Sequence, residues 1–287
     1  MIDTETLSLI KIAFVVAVMV SASVSDIRKR EASDLHWAAM GVFGIACMIY
    51  AISSEPFRLE YVTPVIGAAM ILADILWPKE RGPAVTVMFY VIMASMFVFP
   101  LVSAWGDPVA MGLMTVPAAY LIFMAMFAAG IVKGGADVKC LIVLAMVFPS
   151  YPVFKGLPMI AVPDVLIADV FQFSLMVLFH AALFSLSVGL YYIAVNVRRG
   201  DTDMPYMFLG YRMDVADAKG AHVWPMHKVV DGKAVRTRKA QDPGVISEIE
   251  RTGEERIWVT AMVPFLVPVT IAIIFVAFVG NILFLLF

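Results

Sequence analysis

Charge is scarce in this chain. Only 15% of its 287 residues are Asp, Glu, Lys or Arg, where a soluble domain carries about a quarter. The formal net charge is −2, so there is no basic excess to hold a nucleic-acid backbone, and no nucleic acid is expected as a partner. Cysteine is scarcer still. Cys47 and Cys140 both sit inside apolar runs, which excludes a disulfide framework and a Cys-type zinc site. Of the four histidines, His222 and His227 stand five residues apart with no Cys or acid at ligand spacing. They are read as surface residues, and no metal or cofactor is expected. The opening MIDTETLSLI is acidic and lacks the positive n-region of a cleaved signal peptide. The first apolar run is therefore expected to stay as a membrane helix.

What the chain has in abundance is apolar sequence. Hydrophobic residues make up 62% and the mean hydropathy is +0.90, in blocks too long for the core helices of a soluble domain. Eight candidate helices are read at 6–25, 36–53, 61–77, 84–104, 109–130, 137–150, 165–196 and 257–286. Pro, Gly and charges mark every break between them. The expected fold class is an all-α polytopic membrane protein of about eight membrane helices, with a small β-containing cytoplasmic domain before the last helix. Met and Phe within the spans are lipid-facing and packing groups.

Basic residues orient the spans. With the N-terminus outside, Arg28, Lys29, Arg30, Lys79, Arg81, Lys133, Lys139, Arg198 and Arg199 fall on the inner side, and only Arg58 and Lys155 fall outside. That is the bias of a cytoplasmic face. It predicts a multi-pass cell-membrane protein, and it puts Asp26 and Asp137 at the cytoplasmic surface.

Residues 197–256 form the one sizeable polar segment, between a membrane core over 1–196 and a final helix over 257–287. Here HVWPMHKVV and KAVRTRKA flank Asp231-Gly232, a two-residue hairpin signal. MPYMFLGYRM supplies a further candidate strand, and Pro225 confines its own strand to an edge or interrupts it.

Two aspartates stand out. Asp137 closes GIVKGGADVK, and Asp26 opens SDIRKREASD. Each has an ordinary explanation: Asp137 as the N-cap of the next helix, Asp26 as one interfacial charge beside Arg28, Lys29 and Arg30. Taken together they share a membrane face, and each lies at a helix end. Gly134, Gly135 and Ala136 remove side-chain bulk beside Asp137, so a substrate backbone can come close. Two adjacent carboxylates cannot both ionise easily, and one keeps a proton. A protonated acid paired with a carboxylate base can hydrolyse an amide through an activated water.

These two stretches resemble the motifs of the archaeal prepilin and preflagellin peptidases, membrane aspartyl proteases of the GxGD type. The resemblance continues through MPYMFLGYRM, HVWPM and PFLVPVTIAIIFVAFVGN. It implies Asp26 and Asp137 as the catalytic pair, Gly134, Gly135 and Ala136 as motif support, and no cofactor. It also implies substrates that are pre-archaellins or type IV pilin-like precursors: a basic leader followed by an apolar helix in the lipid bilayer, cut before that helix. Ala136 replaces the last glycine of a strict GxGD. The spacing from Asp26 to Asp137 is longer than in compact members and suggests one extra helical hairpin within 61–104. The CxxC zinc segment of bacterial relatives is missing, which implies cleavage without methylation. The Tyr-Asp and Pro-Ala-Leu motifs of presenilin-like proteases do not occur.

Other polar residues leave alternatives open. Asp74, in MILADILWP, is expected to be a structural hydrogen-bonder or a third member of the site. Asp169 and His180, about three turns apart on one helix, would suit a proton-coupled transporter. Lys139 is either an interfacial anchor or a group that acts on the aspartates or the substrate backbone. Acidic residues at 201–217 could draw in a basic leader. A silent assembly scaffold on the same fold is the third possibility.

Overall fold

Each of the eight expected apolar runs contains helix, but the run over 109–130 is two helices, the run over 165–196 is two helices, and the run over 257–286 begins as a strand. The computed structural model describes residues 2–77, 81–132 and 134–286, so Lys79 and Lys133 of the orientation argument lie outside it. It divides into two units, Met1–Ala181 with Phe265–Phe287, and Ala182–Pro264. The second is wider than the polar segment, because its apolar flanks fold with it.

In the first unit the helices are α1 (Thr4–Lys29), α2 (Asp34–Ile52), α3 (Leu59–Leu76), α4 (Pro83–Ser103), α5 (Pro108–Leu113), α6 (Thr115–Ala128), α7 (Gly135–Val147) and α8 (Val165–Val170). α9 (Phe173–Arg199) begins there and runs on into the second unit. Six stretches among the described residues are long and apolar enough to cross a membrane: α1, α2, α3, α4, α5 with α6, and α9. These are consistent with a multi-pass membrane protein. At 1.5 Å per residue the 13-residue α7 reaches only about 20 Å, against the roughly 30 Å of a hydrocarbon core.

α7 is short because protein surrounds it. Val138 and every residue from Cys140 to Phe148 is buried, the pattern of a helix that is apolar all round and enclosed. α2, α3 and α6 pack against it. Gly44 lets α2 approach: a Cβ there would stand 2.8 Å from the Met146 carbonyl carbon. Lys139 meets Asp34, the first residue of α2, at 2.6 Å. Contacts at Asp34–Lys139 and further along at Gly44–Met146 make α2 and α7 parallel. α1 joins α2 through only four residues, with Arg30 in the left-handed region as its C-cap (φ 58°), so α1 runs antiparallel to both.

Beyond α7 the chain is largely non-helical to Asp164. Met159 and Ile160 donate their backbone N–H groups to Phe278 and Val279, at the end of the last helix, α13 (Leu266–Phe278). This pairing satisfies helix-end carbonyls that apolar surroundings would otherwise leave bare. The span expected over 165–196 is interrupted at Phe171 and Gln172, so α8 and α9 are separate helices.

The second unit holds α10 (Tyr206–Leu209), α11 (Val215–Ala218), α12 (Ile246–Arg251) and five strands: β1 (Tyr211–Asp214), β2 (Val223–Pro225), β3 (His227–Val230), β4 (Lys233–Arg236) and β5 (Arg256–Ala261). β5 is the centre of an antiparallel sheet ordered β1–β5–β2, with Tyr211 opposite Val259 and Pro225 opposite Val259 from the other side. Pro225 thus sits on an edge strand, where its missing N–H is tolerated. β3 and β4 form the hairpin at Asp231-Gly232, both residues at positive φ (50° and 71°) as a type I′ turn requires. Val215, Val223, Ile246, Ile249, Ile257 and Val259 make the core.

Two expectations are corrected here. The last apolar run begins as β5 rather than as a helix at 257, because Ile257, Trp258 and Val259 are buried in this unit's own core. His227 is a core residue with 2% exposure, since the chain turns inward at Met226, whose N–H bonds Trp258 O. His222 is exposed as expected.

Burial holds the His227 imidazole below its ordinary pKa, partly offset by Glu254. The folded unit therefore binds that proton less readily than the unfolded chain, so His227 favours folding above about pH 6.5 and loses that contribution as pH falls through its lowered value. Hydrogen-exchange protection factors in β1 and β5, corrected for the intrinsic rate at each pH, should fall as pH drops from about 7.5 to about 5. His227→Gln should flatten that dependence.

Candidate active site

Asp26 lies in the last turn of α1, and Asp137 in the first turn of α7. Their proximity follows from the packing below them. The Cys140 thiol meets Met19 Sδ at 3.4 Å, which fixes one height on the two antiparallel helices. From that contact Asp26 is two turns along α1 on the same face, about 10 Å, and Asp137 is three residues back along α7, about 4.5 Å. Both advance towards the same end. The two carboxylates are thus offset by only about 6 Å along the helix axes, and the charge of Asp26 acts on Asp137.

Both side chains are half-buried. Among the described residues neither carboxylate has a hydrogen-bond or ion-pair partner. The cap explanation for Asp137 does not hold: α7 starts at Gly135, its N-cap is Gly134, and no side chain caps it. Asp137 instead lies against Gly134. A Cβ at Gly134 would fall 2.8 Å from Asp137 Cγ and closer still to a carboxylate oxygen, whereas a Cβ at Gly135 meets nothing within 4 Å. The first glycine of the pair makes room for the carboxylate, and the second stands in open space at the start of α7. Ala136 is half-buried between them and Asp137.

Lys139 points elsewhere. Its ion pair with Asp34 ties α7 to the start of α2, so it acts as a tether between helices and not on the aspartates. Being partly exposed, the pair contributes no more than about 1 kcal/mol.

The other acids are engaged or scattered. Asp74 is fully buried. It accepts from Tyr120 at 2.8 Å and Tyr90 at 3.1 Å, with Arg81 at 3.7 Å. This polar hub joins α3, α4 and α6, and Asp74 is a structural residue. Neither tyrosine was singled out in the sequence; the signal would have been a phenol at matching depth on each neighbouring helix. Asp169 and His180 sit on separate helices, α8 and α9. His180 Nδ1 donates to Met176 O at 2.8 Å, and its Nε2 accepts from Ile282 at 3.4 Å. That ring is a satisfied core histidine.

The architecture is that of a helical membrane protein with a small β-containing unit before its last helix. Residues 202–282 match the family model described as Archaeal Peptidase A24 C-terminus Type II. This match supports the archaeal prepilin and preflagellin peptidase family for the chain, and with it a prepilin-type aspartic peptidase activity in general terms. It covers less than half of the sequence and lies outside the stretches that carry Asp26 and Asp137. No curated protein matches the chain.

Asp74→Ala should lower stability by about 2–4 kcal/mol, because it strands the buried Tyr120 hydroxyl, the half-buried Tyr90 hydroxyl and a partly buried guanidinium. Thermal denaturation in detergent checks this. Lys139→Met, at the exposed tether, should change it by less than about 1 kcal/mol.

Proposed function

We propose that this protein is a membrane aspartyl endopeptidase whose acid–base pair is Asp26 and Asp137. The observation that carries the reading is two half-buried carboxylates, without a partner among the described residues, on facing helix ends and beside a glycine that clears space for one of them. Structural aspartates are normally consumed by partners, as Asp34, Asp74 and Asp107 are here. A half-buried carboxylate with no partner among the described residues suggests a task other than structural bonding.

The chemistry is that of a shared proton. One carboxylate takes a proton from water while the other, protonated, donates to the scissile carbonyl oxygen. The resulting tetrahedral diol collapses as the amine leaves with a proton from the dyad. Because Gly135 has no side chain and open space around it, an extended peptide can lie across the start of α7.

The substrates in this reading are pre-archaellins or type IV pilin-like precursors, cleaved at the cytoplasmic face with the N-terminus of the enzyme outside. A short basic leader stays in water while the following apolar helix lies in the bilayer, so the bond between them arrives at an interfacial site. The product is left unmethylated.

Asp26→Asn and Asp137→Asn should each reduce cleavage of a leader-bearing precursor by at least about a hundredfold. Asp169→Asn, away from the pair, should leave it unchanged. Membranes carrying each variant and a pre-archaellin-like substrate are the assay. Retention of activity in either of the first two removes the dyad. In the same assay Gly134→Val should abolish cleavage by displacing Asp137, and Gly135→Ala should be tolerated.

A further inference from the structure

Asp26 ends the stretch SASVSD, and its serines at 21, 23 and 25 each make a hydrogen bond away from their own turn. Ser21 Oγ meets His36 Nε2 of α2 at 3.2 Å. Ser25 Oγ donates to Glu31 O in the α1–α2 connection at 2.8 Å. Ser23 Oγ meets Thr270 Oγ1 of α13 at 2.9 Å, and both residues are buried at 7% exposure. Thr270 Oγ1 also lies 2.8 Å from Leu266 O and 3.4 Å from Met19 O, acceptors that let its oxygen receive a hydrogen bond from Ser23. α1 packs on α13 along this contact.

We infer that Ser23 and Thr270 are positioning residues for Asp26, with the Ser21 and Ser25 contacts as flanking supports. Ser23 is one turn from Asp26 on a neighbouring line of the helix. Adjacent residues pull in three directions: Ser21 towards α2, Ser23 towards α13, and Met19 against Cys140 of α7. Apolar contacts alone permit a helix to rotate or slide by small amounts, because the alternatives bury nearly the same surface. A buried hydroxyl pair resists this, since moving either partner breaks the directional bond between Ser23 and Thr270 and leaves the buried Ser23 hydroxyl without it. The pair therefore fixes the rotation of α1 one turn before the carboxylate that must face Asp137. Poor alignment of reacting groups reduces rate far more than stability.

The activity arm of the test rests on the peptidase reading, and the structural arm does not. The full-length chain carrying Asp26→Cys and Asp137→Cys, reconstituted in lipid, is treated with a short bifunctional thiol reagent; Cys47 and Cys140 are buried. Cross-linking should slow about threefold or more in Ser23→Ala and in Thr270→Val backgrounds, and Thr270→Ser should restore it. Unchanged rates in both backgrounds overturn the inference. With both aspartates intact, Thr270→Val should lower kcat by about three- to tenfold at constant KM, Thr270→Ser should recover it, and the double variant should be no worse than either single one. A raised KM with kcat intact, or additive losses in the double variant, also overturns it. If Asp26→Asn cleaves like wild type, the peptidase reading fails, and the cross-linking rates alone decide the positioning role.

Discussion

The enclosure of α7 is the constraint on which the first unit depends. A 13-residue helix cannot cross a bilayer alone, and one that is apolar on every face has no stripe to present to water. It is stable only with protein around it, and α2, α3 and α6 supply that protein. Gly44 lets α2 approach to backbone contact. The sulfur contact to Met19 brings α1 alongside, and the Asp34–Lys139 pair sets the height of α2. One end of this assembly collects the last turn of α1 and the first turns of α2 and α7. The meeting of Asp26 and Asp137 is a by-product of burying α7.

The polar residues within the helices sort by how completely they are satisfied. Asp74 is held by two phenols, and His180 spends both ring nitrogens on backbone groups. In apolar surroundings such groups are tolerated because the hydrogen bonds offset their desolvation. Among the described residues nothing gives Asp26 and Asp137 that compensation. The contrast in satisfaction, more than the presence of acids in a membrane chain, separates the candidate dyad from the structural acids.

Much of this was legible in the chain itself. Lipid demands long apolar helices, so hydropathy located the first four spans to within a few residues, and Asp231-Gly232 marked its hairpin because a type I′ turn needs two positive φ angles. The errors have physical causes. Ile257, Trp258 and Val259 are apolar in succession because β5 is central and covered on both faces, and they merge with the run of α13 beyond. The break at Phe171 and Gln172 carries no proline or glycine to announce it. His227 looked like a surface residue because a polar side chain in a short strand is usually outside. The two aspartates could be picked out as residues, but their proximity depends on helix order and on a Met–Cys contact that no spacing rule encodes. Ser23 and Thr270, 247 residues apart, left no local signal at all.

The Asp74 hub links one carboxylate to a whole structural element. Tyr90 belongs to α4, a peripheral helix whose buried side chains are Met93, Phe97 and Pro100. Taking α4 away would strip one donor from a carboxylate with no exposure to solvent and raise the cost of keeping an acid at that depth. The α3–α4 hairpin and Asp74, which lies in it, are therefore coupled through Tyr90. In any relative built without α4, natural selection would be free to replace Asp74 and Tyr120 by apolar residues, and in any relative that keeps the hairpin the three would be expected to change together.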